Sequence, residues 1–391
     1  MSRGERNALV VGGGIGGLAA ATALRQAGWR VGVLEQATSP RELGFALVLA
    51  PNAMRALRRL GIADEVRAGG AVMDAGEIRR SDGRLLRRLR LAGALRERLG
   101  EDTVCALRPV VHGALLRAAG EDALHLGCRV IDVEIGAGHV AVRTHDNRAF
   151  RARVLVGADG AHSRVRELVL GPRPLRYAGF TAWRGVAREP WPRLGDVTAR
   201  QYLGTGLEAG VARASTDAVY WYLAVHAAAG GGRGQAHARR EAGEHLPGLD
   251  PFFRDLVAAT ASEDVRRDDV YDLDPLEAWG RGAVTLLGDA AHPMTPSAGQ
   301  GAAQALEDAV TLADALGAET DPEAGLRRYE QRRIPRARAM VRLSRRNAAL
   351  VLTRSRAARC LRNLAVRVMP TALLVRQLAA IGPGEAILRP P

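Results

Sequence analysis

Short apolar runs that end beside a glycine or an acid recur along the chain and predict buried β-strands. Residues 8–11, 30–34, 153–157 and 283–287 are runs of this kind. Such short runs, bounded by turn residues, are typical of strands in a parallel sheet that is covered on both faces. The first run leads at once into a small-residue helix. The pattern therefore predicts an α/β fold built on a parallel sheet.

A second group of strands is predicted within residues 176–273. There the stretches FTAWRGVA, VTARQYL, GVARAS and AVYWYLAV are separated by turn residues. Asp82 and Gly83 lie between two further strand-like stretches and are typical of a hairpin turn. These patterns predict a second, mixed sheet.

Two helical patterns follow. Residues 301–316 have apolar side chains at helical spacing, and residues 326–381 continue with apolar residues three and four apart. Pro335 and Pro370 are expected to kink or break the second helix, because proline lacks the backbone N–H and crowds the preceding turn.

The first apolar run ends in Gly12-x-Gly14-x-x-Gly17, and the second ends in Glu35. Gly12 suits a tight turn, Gly14 lets a pyrophosphate approach the backbone, and Gly17 lets the helix pack on the strand. Glu35 follows Gly17 by 18 residues, close to the spacing of about 20 residues for a ribose-binding acid. The unit predicts a dinucleotide site, with a plain glycine-rich turn as the alternative.

Two later strands end in an acid beside a glycine, at Asp159-Gly160 and Gly288-Asp289. Ligands of open α/β sheets bind at this end of the strands. The glycine motif alone does not separate NAD from FAD. Together, however, the three motifs resemble the fingerprints of the single-component FAD-dependent monooxygenases, the aromatic hydroxylases with the p-hydroxybenzoate hydroxylase fold. Further similarity to this family is found in three segments, residues 44–62, 107–116 and 177–186.

The resemblance implies roles for several residues. Asp289 is expected to hold the flavin ribitol, Arg108 to lie along the pyrophosphate or ribitol, and Asp159 to support the pyrophosphate side and the approach of the nicotinamide. The loop before the helix at 301–316 is expected to direct its amides at the pyrimidine edge of the flavin, with Gly299, Gln300 and Gly301. Simpler interpretations stay open: Arg108 as a surface arginine, and Asp159 and Asp289 as helix caps.

Arg184 and Tyr222, both in the second sheet, are the candidate substrate contacts. Tyr222 alternates with Trp221 and Leu223, so either the tyrosine or its neighbours face the flavin. Arg184 and Glu208 are predicted on neighbouring strands or at their ends. Ordinary sheet packing or a surface ion pair is the alternative for both candidates.

The resemblance also implies a domain organisation: a Rossmann-like FAD-binding domain, an inserted mixed β-sheet substrate domain and a C-terminal helical arm. The predicted FAD-binding domain comprises residues 1–75, 100–175 and 275–330. The predicted substrate domain comprises residues 76–99 and 176–274, and the helical arm comprises residues 331–391.

Charge is unevenly distributed along the chain. All 56 basic residues are arginine, against 42 acids, and the net charge is +14. Residues 327–391 hold 16 arginines and only two acids, so they carry the whole net charge. A helical arm with an arginine-rich solvated face explains this, and a basic amphipathic helix on an anionic membrane surface is the alternative. Nucleic-acid binding is not expected, because no aromatic residue follows Tyr329.

Cysteine usage and the N-terminus bear on the compartment. Cys105, Cys128 and Cys360 lie far apart, as expected for free thiols in a reducing cytoplasm. The first residues lead directly into a strand without the apolar region of a signal peptide. No ligand-spaced histidine cluster suggests a metal. We therefore expect a cytoplasmic protein without a metal site.

The expected function is that of an FAD-dependent monooxygenase. The resemblance implies that NAD(P)H reduces non-covalent FAD, and that a flavin C4a-hydroperoxide formed with O₂ hydroxylates an aromatic or polyketide-like small molecule. A flavin epoxidase or oxidase on an alicyclic or isoprenoid substrate is one alternative. A non-catalytic flavin-bound sensor with a membrane-docking basic tail is another.

Overall fold

The computed structural model describes residues 6–39, 45–90, 92–188 and 191–373. In chain order its strands are β1 (Asn7–Val11), β2 (Arg30–Leu34), β3 (Ala46–Leu49), β4 (Gly70–Val72), β5 (Ala75–Arg80), β6 (Leu85–Arg90), β7 (Val104–Leu107), β8 (Leu124–His125), β9 (Val130–Gly136), β10 (His139–Thr144), β11 (Ala149–Ala152), β12 (Val154–Gly157), β13 (Arg176–Ala187), β14 (Ala199–Leu203), β15 (Leu207–Arg213), β16 (Val219–His226), β17 (Val265–Asp272) and β18 (Val284–Leu286). Its α-helices are α1 (Ile15–Gln26), α2 (Pro51–Arg59), α3 (Ala63–Ala68), α4 (Ala92–Leu99), α5 (Arg108–Ala119), α6 (Arg164–Leu170), α7 (Ala238–Glu244), α8 (Pro251–Ala259), α9 (Gly301–Ala318), α10 (Pro322–Val351) and α11 (Arg356–Val368).

A five-stranded parallel sheet forms the centre of the FAD-binding domain, in the order β18-β12-β1-β2-β8. On β1, Val10 pairs with Val156 on one side and with Val33 on the other, and all three are fully buried. Helix α1 packs on β1 and β2, α9 packs on α1, and the small antiparallel sheet β9–β11 contacts β1 and β12. The predicted Rossmann-like α/β domain is confirmed.

A seven-stranded sheet of order β17-β13-β16-β15-β14-β5-β6 is the second large element. Its neighbouring strands are antiparallel except for β14 and β5, which are parallel. The hairpin β5–β6 turns at Asp82 and Gly83, as the sequence predicted. The segments predicted as 76–99 and 176–274 thus meet in one mixed sheet.

The two faces of this sheet have different neighbours. Trp221 and Leu223 lie in a buried cluster with residues of α7 and α8, including Phe253. The opposite face carries Tyr220, whose ring centroid is 6.5 Å from that of Phe45 in the FAD-binding domain. The sheet therefore lies between a pair of short helices and the FAD-binding domain.

The C-terminal helices differ from the prediction at Pro335 and between residues 351 and 356, where the helical pattern had predicted no break. Helix α10 continues through Pro335 without a break and ends only at Val351. Arg333 and Arg336, on either side of the proline, both pair with Glu307 of α9. These contacts hold the helix where its own backbone hydrogen bonding is interrupted. The predicted domain boundary at residue 330 lies inside this helix.

Helix α11 begins after a short break, with the Ser355 side chain accepting a hydrogen bond from the Ala358 amide. It ends at Val368, just before Pro370, where the sequence predicted a stop. No helix in the described part of the chain has both the length and the hydropathy that a membrane span requires.

Candidate active site

The turn between β1 and α1 depends on the absence of two side chains. Gly12 has φ +108°, and a Cβ there would lie 2.4 Å from the Ala158 carbonyl oxygen. A Cβ on Gly17 would lie 1.9 Å from the Gly12 carbonyl oxygen. A Cβ on Gly14, in contrast, would meet no protein atom within 4 Å. Gly12 and Gly17 therefore serve the turn and the packing, whereas Gly14 borders open space at the start of α1.

Glu35 is fixed beside this turn. Its Oε2 accepts a hydrogen bond from the Gly13 amide at 2.7 Å, and its Oε1 accepts one from the Ala37 amide at 2.8 Å. A cavity of about 720 Å³ opens here, bordered by the glycine turn, Glu35 and Asp159. The structure thus brings the predicted ribose acid and the glycine turn to one cavity.

Asp159 makes the contacts of a helix cap. Its Oδ2 accepts a hydrogen bond from the Val165 amide at 3.0 Å, and its Oδ1 accepts one from the Ser163 hydroxyl. Burial raises the pKa of this carboxyl group, which the hydrogen bonds oppose. Asp159 therefore positions the start of α6 while it also borders the cavity, so both interpretations of this residue have structural support.

Asp289 and Arg108 lie near each other, and Arg108 also lies near Arg266 of the seven-stranded sheet. Both side chains are accessible to solvent, although protein atoms surround them. Burial raises the pKa of Asp289, and the interactions with His292 and Arg108 oppose this rise. Burial lowers the pKa of Arg108. Among the described residues, no ion pair joins the two side chains, and none donates a hydrogen bond to Asp289.

The loop that the sequence placed near the flavin leads from β18 to α9. Gly299 has φ +62° and Gly301 begins α9, so the backbone amides at this corner precede a helix of 18 residues. Gln300 is buried between them. Its Oε1 accepts a hydrogen bond from Nδ2 of Asn52 at 2.9 Å, which ties the loop to α2.

A buried network of charged groups supports this loop, and the sequence did not reveal it. Arg333 of α10 donates to Asp308 Oδ1 and to Glu307 Oε2, both at 2.6 Å. Asp308 Oδ2 in turn accepts from the Gly288 amide at 2.9 Å and contacts Nε2 of His292 at 2.6 Å. These contacts lower the pKa of Asp308 to about 2, although burial opposes the change.

The burial of Arg333 was not predicted, because this residue belongs to an arginine-rich run in which no arginine is distinguished from the others by its local sequence. The interpretation of that run as a solvated face is wrong for Arg333, which is only 3% exposed. The one available signal was the adjacent acids Glu307 and Asp308 within a mostly apolar helix. Buried acids of this kind require a cationic partner.

The two substrate candidates lie opposite each other in the second sheet. Arg184 on β13 pairs in register with Tyr222 on β16. The Arg184 guanidinium donates to Asp268 at 2.9 Å, and the Tyr222 hydroxyl donates to Oε1 of Glu208 at 2.9 Å. The prediction that Arg184 and Glu208 lie on neighbouring strands is wrong, because β16 lies between β13, which carries Arg184, and β15, which carries Glu208.

Tyr222, rather than Trp221, is on the face turned towards the FAD-binding domain. Trp221 packs on the other face, where its indole N–H donates to Thr260. The face of Tyr222 also carries Arg266, which is in register with Arg184. Arg266 lies near enough to Arg108 for its charge to lower the Arg108 pKa further. The gap between the sheet and the FAD-binding domain thus contains Arg108, Arg184 and Arg266, of which Arg184 is paired with Asp268.

The residues present fit the FAD that the sequence implied. Gly14 leaves space for a pyrophosphate at the positive end of α1, and Glu35 presents a fixed carboxylate beside it. Asp289 is an accessible carboxylate to which no described residue donates, as a partner of ribitol hydroxyls requires. These three groups follow the rim of the parallel sheet in the order that an extended dinucleotide needs.

Comparisons with known proteins agree with this geometry. The family described as FAD binding domain matches residues 5–344. A 3-amino-4-hydroxybenzoate 2-monooxygenase from Streptomyces platensis is 36% identical over 356 residues, which cover 86% of both proteins. An FAD-dependent urate hydroxylase from Klebsiella oxytoca is 33% identical over 339 residues, which cover 85% of this chain and 87% of the relative.

The likeness extends to a solved structure. The crystal structure of Klebsiella pneumoniae HpxO complexed with FAD and uric acid has a TM-score of 0.91 to this chain, with 29% identity and 97% of both chains covered. The match therefore includes the parallel sheet, the seven-stranded sheet and the C-terminal helices. The chain belongs to the FAD binding domain family and is an FAD-dependent monooxygenase of the aromatic hydroxylase type.

Proposed function

We propose that this protein uses NAD(P)H and O₂ to hydroxylate an aromatic or polyketide-like small molecule, bound between the seven-stranded sheet and the FAD-binding domain. The observation that carries the proposal is the polar face of β13 and β16. Arg184 and Tyr222 are turned towards the domain that holds Asp289 and Arg108. A sheet face that served only for packing would be apolar at these positions.

FAD, when bound, accepts electrons from NAD(P)H and delivers one oxygen atom of O₂ to the substrate. The protein's own contribution is binding, orientation and the exclusion of water. The start of α9 at Gly301 offers free backbone N–H groups and the positive end of a helix dipole, which would stabilise a reduced, anionic flavin. Asn52, which donates to both Gln300 and Glu307, connects that helix start to the network of Arg333, Glu307 and Asp308.

The charge of the gap favours a class of substrate. Within the described residues, neither Arg108 nor Arg266 forms an ion pair, and the two guanidinium groups lie near each other. An aromatic ring that carries a carboxylate, a phenolate or another electron-rich oxygen would relieve their repulsion. Relatives named for 3-amino-4-hydroxybenzoate, urate and 6-hydroxynicotinate act on small rings with such groups.

Oxidation of NAD(P)H in the presence of O₂ tests the proposal. The FAD-loaded protein is assayed with phenols, hydroxybenzoates, quinolones and polycyclic phenols, with ¹⁸O₂ as the oxygen source. We expect at least one acidic aromatic to accelerate NAD(P)H oxidation and to gain one labelled oxygen atom. A product that loses hydrogen without gaining oxygen would indicate an oxidase. If no compound stimulates NAD(P)H oxidation or incorporates the label, the proposed hydroxylation is contradicted.

A further inference from the structure

Large apolar side chains are exposed in one small part of the molecule. Five of them fall within residues 350–373, whereas the rest of the described chain exposes only Val48 and Leu85. The exposed fractions are 69% for Leu361, 55% for Leu364 and 67% for Val368. This clustering sets α11 apart, because single exposed apolar residues are normal but a contiguous group marks an interaction site.

The three residues form one stripe along α11. Their spacing of three and four residues places them on the same side of the helix, together with Ala357. Surface helices usually turn such a stripe towards the core. In α11 the stripe points outwards, and the side chain that points inwards is the buried Arg362.

The orientation of α11 is fixed by contacts of its polar side. Arg362 donates to the carbonyl oxygen of Val351 at 2.7 Å and to that of Gly204 at 3.2 Å. From the edge strand β6, Arg87 donates to the carbonyl oxygens of Val366 and Met369. Rotation of the helix to bury its stripe would break these bonds and expel Arg362. The outward apolar stripe is therefore built into the fold.

The charges around the stripe indicate what covers it. Arg354, Arg356 and Arg367 are exposed, and residues 331–384 contain no acid. A second copy of α11 would bring arginine against arginine. A nucleic acid would satisfy the arginines but would leave the leucines in water. An anionic lipid surface satisfies both, since phosphate groups pair with arginine and the acyl boundary takes up apolar side chains.

We propose that α11 docks the protein on an anionic membrane surface. Leu361, Leu364 and Val368 enter the boundary between headgroups and acyl chains, and Arg356 and Arg367 contact lipid phosphates. The helix lies in the plane of the interface and does not span the bilayer. This inference is independent of the substrate proposed above, because it rests on a surface formed by α11 alone.

Vesicle binding by the full-length, FAD-loaded protein tests it. Vesicles of phosphatidylcholine with about 30 mol % phosphatidylserine are compared with pure phosphatidylcholine vesicles at about 0.15 M NaCl. We expect co-sedimentation with the anionic vesicles only, weakening as salt increases. The pair Leu361→Gln and Leu364→Gln should weaken binding about tenfold or more, because two leucines no longer enter the apolar layer.

A charge-matched pair of variants separates specific docking from general attraction. Arg356→Gln with Arg367→Gln removes two charges beside the stripe. Arg240→Gln with Arg254→Gln removes two exposed charges from α7 and α8, on the far face of the seven-stranded sheet. Only the first pair should reduce vesicle binding severalfold. Unchanged flavin absorbance and melting temperature in each variant establish that it is folded.

Four results would overturn the proposal. The first is a lack of binding to anionic vesicles at low salt, and the second is binding that the leucine substitutions leave unchanged. The third is a dimer, detected by light scattering, that the leucine substitutions convert to a monomer, which would assign the stripe to a second copy. The fourth is binding that begins only after residues 374–391 are removed, which would show that this segment covers the stripe.

Discussion

The Tyr222 hydroxyl donates a hydrogen bond to Oε1 of the buried Glu208 at 2.9 Å. The same oxygen accepts from the Gln201 side chain at 2.7 Å, and burial raises the pKa of Glu208. The Tyr222 ring lies over Gly210, where a Cβ would approach Cε1 to 2.3 Å. Tyr222 is thus held in place by the sheet itself, and its ring is oriented before a substrate enters.

Tyr222→Phe should retain FAD but waste reducing equivalents. The variant loses the bond that orients the ring, so a substrate is positioned less accurately and oxygen transfer fails more often. We expect the fraction of consumed NAD(P)H that is recovered as hydrogen peroxide to rise about threefold. Trp221→Phe, on the opposite face, is the control and should leave this fraction unchanged. Equal coupling in wild type and Tyr222→Phe across several accepted substrates would rule out a role in positioning.

Asp289→Ala should lose most of its flavin. Removal of an acceptor from the ribitol hydroxyls costs about 1–3 kcal/mol per unmade bond, which weakens binding roughly tenfold to a hundredfold. Asp289→Asn keeps one acceptor oxygen, so its affinity for FAD should lie between those of the wild type and Asp289→Ala. Flavin content and FAD titration of the apoprotein measure the effect. Wild-type occupancy in Asp289→Ala would contradict the assignment.

Two glycine substitutions separate ligand binding from folding. In Gly17→Ala the new Cβ would lie 1.9 Å from a backbone oxygen, so we expect an unstable protein. In Gly14→Ala the Cβ meets no protein atom within 4 Å, so the apoprotein should melt as wild type does. The same Cβ enters the space left for the pyrophosphate and should weaken FAD binding. Calorimetry of the apoprotein measures the effect of each substitution on stability, and FAD titration measures its effect on flavin binding. Normal FAD affinity in Gly14→Ala would contradict a pyrophosphate at this position.

Arg333→Met should destabilise the protein far more than the same change one residue earlier. It leaves the buried Asp308 without its arginine and leaves Glu307 with Arg336 alone, which costs about 3–5 kcal/mol. Arg332 is exposed on the same helix, so Arg332→Met should cost less than about 0.5 kcal/mol. Urea unfolding of both variants checks this. Equal losses of unfolding free energy in the two variants would show that the network contributes little to stability.

Acid should weaken the same network. Asp308 has a folded-state pKa of about 2, below its unfolded value of about 4. Its contribution to the free energy of unfolding is therefore present above pH 4 and is lost as the pH falls towards 2. The loss amounts to roughly 2 kcal/mol. The difference in stability between wild type and Asp308→Asn should shrink over this range, whereas a constant difference would contradict the assigned pKa.

The sequence alone determined those features that depend on neighbours along the chain. The turn from β1 to α1 is encoded by Gly12 and Gly17, because a strand–turn–helix unit needs a positive φ and close packing within a few residues. The acids Asp159 and Asp289 were found for the same reason, since each directly follows a strand and parallel strands share one carboxyl edge. Local pattern thus predicted the fold class and one edge of the site, and the resemblance of the three motifs to a known family implied the cofactor.

Only the tertiary structure decided the features that depend on residues distant in sequence. Asn52 and Arg333 come from two separate helices that both contact α9, and nothing in their local sequence distinguishes them. The alternation on β16 placed Tyr222 and Trp221 on opposite faces but did not say which face meets the FAD-binding domain, because that depends on where α7 and α8 pack. Pro335 remained inside a helix because contacts with α9 outweighed its local preference. Burial, unlike a turn, is a property of the assembled fold.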